Sequence, residues 1–176
     1  MTQPTDSWIA VVGMGCRFPG AADVGQFWEL LRRGEDAVGP LPADRPALAK
    51  WSAGAAPPYA GTVPDLLDFD PAFFGISPRE ARLMDPQQRM LLHVVWEALE
   101  SSGIRPSTLS GTPTGVYVGQ ATGDYADLCG PAAGSDAGAM AGSRLRAVTS
   151  GRLSYALDLR GPSLTVDTAC SSSLVA

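Results

Sequence analysis

Histidine occurs once in these 176 residues and cysteine three times. No C-x-x-C spacing is present, so a disulfide framework and a Cys/His zinc site are both excluded, and neither a metal nor a resident cofactor is expected. Also missing is any apolar run near the roughly 18 residues that a membrane helix needs, and Met1-Thr-Gln-Pro-Thr-Asp-Ser7 lacks the basic start of a secretory signal. Thirteen Lys and Arg are scattered along a chain of net charge −5, with no basic stripe to meet nucleic acid. The reading is a soluble, cytoplasmic protein in a reducing compartment. A hydrophobic content of 45% is enough to build the core of one domain, and no internal repeat is visible.

The most informative stretch is the last dozen residues. Leu164 to Val166 reads as a short buried strand, and Ser171 to Ala176 as the opening turn and a half of a helix. Cys170 falls at the joint. A thiol there lies near backbone N–H groups of a helix start, which favour thiolate, and at such an elbow a backbone N–H can face a developing oxyanion. Strand-turn-helix elbows also present a side chain at the carboxyl edge of a sheet, where open α/β folds bind ligands. Most isolated cysteines are small core residues without chemistry, so the elbow alone leaves Cys16, Cys129 and Cys170 unranked.

Earlier in the chain, Trp8-Ile-Ala-Val-Val12 has the continuous apolar, β-branched character of a central parallel strand. Gly13-Met-Gly15 follows it, but Phe18 occupies the third position of a G-x-G-x-x-G loop, so a dinucleotide site is rejected and the glycines are read as a sharp turn. Asp23 as N-cap, Gln26 as its capping-box partner and Gly34 as C′ bracket a helix with Phe27, Trp28, Leu30 and Leu31 on its apolar face. Residues 35–64 read as a surface connection pinned by Trp51 and Tyr59. Asp68 to Ala81 reads as an aromatic-packed loop and short helix. The strongest helix begins at Asp85 and Pro86, with Gln88 closing a capping box and Met90, Leu91, Val94, Val95, Ala98 and Leu99 buried before Gly103. His93 flanks that stripe and reads as a half-buried helical histidine rather than a base. Gly115-Val-Tyr-Val-Gly119 is a second parallel-type strand. Residues 120–142 form a Gly/Ala-rich loop whose Asp124, Asp127 and Asp136 read as solvated acids. Arg144 to Leu157 is a helix despite Gly151, and Arg160-Gly-Pro-Ser163 turns the chain into the last strand. The alternation of strands and helices predicts an α/β fold with a mainly parallel sheet.

Val166-Asp-Thr-Ala-Cys170-Ser-Ser-Ser-Leu174 resembles the nucleophile motif of β-ketoacyl synthase (ketosynthase) domains of type I polyketide synthases, in the thiolase-like superfamily. Val12-Gly-Met-Gly-Cys-Arg-Phe-Pro-Gly20 is similar to their opening signature, and Asp68–Ala81, Met84–Met90 and Val148–Tyr155 also resemble them. The likeness runs over residues 8–176 except the 120–142 loop, leaving 1–7 as a flexible N-terminus. It implies a layered thiolase-like α/β fold, here its N-terminal portion ending just after the nucleophile. It implies that Cys170 is the catalytic nucleophile and a backbone oxyanion donor. Its thiolate takes an acyl group from the phosphopantetheine arm of an acyl carrier protein. Decarboxylative Claisen condensation with a malonyl-type extender follows, in a homodimer when full length. The family's two catalytic histidines lie in motifs downstream of the cysteine, so this segment alone is expected not to condense and to be marginally stable or associating. Alternatives are the condensing domain of a type I fatty acid synthase, or a non-catalytic fragment that only binds or dimerises. Arg79, Arg82 and Arg89 are candidates to meet an acidic carrier protein.

Overall fold

A computed structural model describes residues 8–42, 59–125 and 145–176. Trp51, Cys129, Asp127, Asp136 and the N-terminal seven residues lie outside them. The chain divides into two compact units, 1–64 with 97–104, and 65–96 with 105–176.

In the first unit, helix α1 (Val24–Arg33) starts and stops where the sequence places it. Asp23 Oδ1 accepts the Gln26 N–H at 2.8 Å, and Gly34 closes the helix at φ 62°. Gln26 reaches back one residue further than a standard capping box, its Oε1 accepting the Ala22 N–H at 3.1 Å. Phe27 stacks on Phe18 with centroids 4.3 Å apart, whereas Trp28 and Leu31 are exposed. Residues 35–64 are more than a connection. Strand β1 (Val38–Pro40) pairs antiparallel with β2 (Tyr59–Gly61), which the Pro/Gly-rich composition concealed. Gly61 lets Pro19 pack closely on this ribbon, because a Cβ there would meet Pro19 Cγ at 2.8 Å.

Trp8 to Val12 is not a strand here. Among the described residues no neighbour supplies a hydrogen-bonded ladder, and Trp8, Ile9, Val11 and Val12 are 65–94% exposed. An apolar run becomes a strand only when another edge satisfies its backbone. Gly13 likewise serves packing rather than a turn: a Cβ would collide with the Ala98 carbonyl and meet Ser102 Cβ at 2.9 Å. Ser101 Oγ fastens the same segment, accepting from the Met14 N–H at 3.3 Å and donating to the Met14 carbonyl at 3.2 Å.

The second unit is built on a buried cluster of Met84, Leu92, Val118 and Leu153, with Phe69, Phe74, Ile76, Leu91, Val95 and Val116 packed on it. Helix α2 (Pro78–Leu83) is capped by Ser77, whose Oγ accepts the Glu80 N–H at 3.1 Å. Phe69, Phe73, Phe74 and Trp96 form the expected aromatic cluster, and the half-buried His93 ring lies 5.4 Å from Phe69 and 5.8 Å from Phe74. Helix α3 (Pro86–Ser102) starts at Asp85, but the carboxylate caps Gln87, accepting its N–H at 2.8 Å. Gln88 turns instead to Arg152 Nε at 2.7 Å. The deepest residues of α3 are Gln88, Arg89 and Leu92, so its face is rotated from the purely apolar one the periodicity suggests. Gln88 takes its position because Arg152 of another helix satisfies it, whereas the Arg89 guanidinium lies 5.8 Å from the Tyr125 ring and its Nε and Nη2 have no hydrogen-bond partner among the described residues.

Strands β3 (Val116–Gly119) and β4 (Ser163–Val166) pair in parallel, Val116 opposite Ser163 and Gly119 opposite Val166. Helix α4 (Val148–Ala156) packs on this pair through hydroxyls as much as through Leu153. Thr149 Oγ1 donates to Gln120 Oε1 at 2.6 Å, and Ser150 and Thr165 share a 3.1 Å bond. The α/β reading therefore stands, although β4 is only half-covered, Leu164 being 51% exposed.

Candidate functional site

β4 delivers the chain to a tight joint. Asp167 and Thr168 follow the strand, Ala169–Ser171 form a single 3-10 turn, and helix α5 covers Ser172–Val175. Cys170 sits inside that turn and is exposed. The α-helix thus begins two residues beyond the cysteine, and its four residues carry little macrodipole. Ala169 has φ 55°, the left-handed region that an alanine occupies only under constraint.

Four side chains brace the turn around it. The Asp167 carboxylate accepts the Ala169 N–H at 3.1 Å, and the Arg146 guanidinium donates to its other oxygen. Arg146 also donates to the Ala121 carbonyl at 2.6 Å. The Ala169 N–H above all, and then Arg146, hold the Asp167 carboxyl below its ordinary range. On the far side of the cysteine, buried Ser172 accepts the Thr168 N–H at 2.9 Å and donates to the Ala169 carbonyl at 2.7 Å. Ser171 Oγ donates to the Thr168 carbonyl at 2.9 Å. The Cys170 N–H itself donates to no group among the described residues.

The elbow rests on β3. A Cβ at Gly119 would meet the Ser172 carbonyl carbon and Ser173 nitrogen at 2.7 Å, so only glycine admits the helix this close. The sequence reading placed Cys170 at a strand–helix joint, as the structure does, but singled out none of Gly119, Arg146, Asp167 and Ser172 as its supports. The signal available was Asp167 itself, since an Asx side chain readily hydrogen-bonds the backbone two residues on.

The other thiol described, Cys16, is half-buried, and burial, followed by the nearby Asp23 charge, raises its pKa. Of the arginines singled out for a partner, Arg79 and Arg82 are exposed. Arg89 is 6% exposed and lies 5.8 Å from the Tyr125 ring, so it cannot meet a partner protein as expected. Among the described residues no group of His, Cys, Asp and Glu is placed to hold a metal, and no helix is long and apolar enough to cross a membrane.

The family description "Beta-ketoacyl synthase, N-terminal domain" matches residues 6–176. The chain belongs to the β-ketoacyl synthase family. This ketosynthase chain is 48% identical over 174 residues to the spectinabilin polyketide synthase system protein NorA' of Streptomyces orinoci, covering 97% of itself and 5% of that protein. Against polyketide synthase GfsA of Streptomyces halstedii the identity is 51% over 174 residues, 97% of this chain and 2% of the relative. Among solved structures, the ketosynthase from module 6 of the bacillaene synthase of Bacillus subtilis 168 matches with TM-score 0.80 and 36% identity, over 94% of this chain and 27% of that one. The fold is therefore that of the thiolase-like α/β ketosynthases, and the chain spans only a small part of the length of each relative.

Proposed function

We propose that Cys170 is the acyl acceptor of a polyketide-synthase ketosynthase. The observation that supports this most directly is the exposed thiol at the β4–α5 elbow, following an alanine held at positive φ. The thiolate sulfur attacks the carbonyl carbon of an acyl thioester. A tetrahedral oxyanion forms, and the Cys170 N–H, free of other acceptors among the described residues, is available to donate to it. Collapse breaks the bond to the departing sulfur, which leaves as thiolate and takes a proton from water, and the acyl group remains on Cys170. Covalent capture divides the transfer into two easier displacements.

The donor is the phosphopantetheine thioester of an acyl carrier protein, with exposed Arg79 and Arg82 on the surface offered to that acidic partner. In the longer enzymes the acyl-cysteine is then attacked by the carbanion released on decarboxylation of a malonyl-type extender. The named relatives are polyketide synthases, which favours this reading over a fatty acid synthase. His93 lies against Phe69 and Phe74 and has no part in this scheme. The test is incubation of the chain with a short acyl thioester, followed by intact-mass measurement beside Cys170→Ala. A Cys170-dependent adduct supports the reading. No adduct, or one that survives Cys170→Ala, refutes it for this chain, and a β-ketoacyl product from the chain alone would overturn the assignment of condensation to residues outside it.

A further inference from the structure

We propose that Asp167 and Arg146 are a positioning pair that sets the geometry of Cys170; this rests on the acyl-acceptor reading above. Ala169 stands in the left-handed region immediately before the cysteine, and an alanine left to itself relaxes to right-handed or extended backbone. The direction of the Cys170 side chain and of its N–H both depend on that residue. One oxygen of Asp167 takes the Ala169 N–H at 3.1 Å, closing a short ring that fixes the peptide plane leading into Ala169. The other oxygen takes the Arg146 guanidinium.

Arg146 is held in turn from a third direction, by the Ala121 carbonyl at 2.6 Å. Ala121 follows Gln120, whose own N–H donates to the Val166 carbonyl at 3.0 Å, one residue before Asp167. The clamp therefore joins the end of β3, the segment entering α4 and the elbow in one closed circuit. Ser172 fixes the other side of the cysteine by bonding Thr168 and Ala169. What it does not supply is an acceptor for the Ala169 N–H, and Asp167 does. Neither Asp167 nor Arg146 transfers a proton or touches the acyl group in this scheme; they act through the backbone of Ala169.

The test uses the chain with a short acyl thioester, measuring the rate of Cys170 acylation against thioester concentration for Asp167→Asn, Arg146→Ala and Arg146→Lys. The maximal rate is expected to fall roughly tenfold to a hundredfold in the first two, as misplacement of a reacting group does. The half-saturating concentration is expected to stay the same, with Arg146→Lys restoring much of the rate. Wild-type maximal rates in Asp167→Asn overturn the proposal. Wild-type protein that forms no adduct refutes the acyl-acceptor reading instead, and amide hydrogen exchange then decides the clamp on its own. The Ala169 amide is expected to exchange roughly tenfold faster in Asp167→Asn, with the Val118 and Thr165 amides unchanged. An unaltered Ala169 rate overturns it.

Discussion

Gly119 and Ser172 touch backbone to backbone: the position of a Cβ on Gly119 lies 2.7 Å from the Ser172 carbonyl carbon. A strand residue and the first residue of the elbow helix are thus in a contact that no side chain on the strand would permit. Substituting Gly119→Ala forces the helix outward or bends the strand, at a cost of about 1–3 kcal/mol. The expected result is a Tm lower by roughly 2–4 °C for each kcal/mol lost. Slower acylation of Cys170 is expected with it, because the displaced element carries the cysteine. Unchanged stability and acylation would show that the contact relaxes freely.

The two described thiols should separate by reactivity. Cys170 is exposed, whereas Cys16 is half-buried and burial raises its pKa. Brief exposure to iodoacetamide near neutral pH, followed by peptide mapping, is expected to find Cys170 alkylated first. Equal labelling would contradict the burial of Cys16.

Acid should loosen the elbow. The pKa of Asp167 is lowered, first by the Ala169 N–H and then by Arg146, so its folded-state value lies below its unfolded one. Such a group contributes stability fully above the unfolded pKa, and that contribution disappears as pH falls through the folded value. The urea midpoint of the wild type is therefore expected to exceed that of Asp167→Asn near neutral pH. The gap should close below the ordinary carboxyl value of 3.8. Asp167 is solvent-exposed, so salt should shrink the gap as well. A gap independent of pH would assign the effect to shape rather than charge.

The contact between α4 and the sheet is partly polar. Thr149 is 1% exposed and donates to Gln120 Oε1 at 2.6 Å. Thr149→Val keeps the volume but leaves the Gln120 oxygen without that donor, at a cost of about 1–3 kcal/mol. Denaturant unfolding measures this directly, and Thr149→Ser should retain most of the stability. A valine variant as stable as wild type would mean that Gln120 finds another donor.

In the first unit the N-cap is the cleanest probe. Asp23→Ala removes the acceptor of the Gln26 N–H and should cost about 1 kcal/mol, seen as faster hydrogen exchange across the first turn of α1.

The punctuation of helices was legible in the sequence because it is local: Asp23 and Gly34 around α1, and Asp85 and Gly103 around α3, act within one turn of themselves. The place of Cys170 between a strand and a helix was legible for the same reason, its motif being contiguous. Other features depend on distant neighbours. The ribbon joining Val38–Pro40 to Tyr59–Gly61 pairs segments whose composition signals turns. Gln88 and Arg89 lie deepest on α3, Gln88 bonded to Arg152 of another helix and Arg89 beside the Tyr125 ring. Trp8 to Val12 failed as a strand in the opposite sense, its pattern being sound but its ladder lacking a partner among the described residues. Arg146 and Asp167 meet only after β4 has paired with β3, and periodicity carries no record of that.

The parallel register of β3 and β4 also bears on how the protein comes to be folded. Val116 must find Ser163 across a long intervening chain, and such closures lose loop entropy before any ladder bond rewards them. The elbow relies on that pairing, since Gly119, Ala121 and Arg146 brace it with the strands in register. Its backbone geometry therefore depends on the pairing of β3 with β4, and the environment of the cysteine is set by residues far outside its own motif.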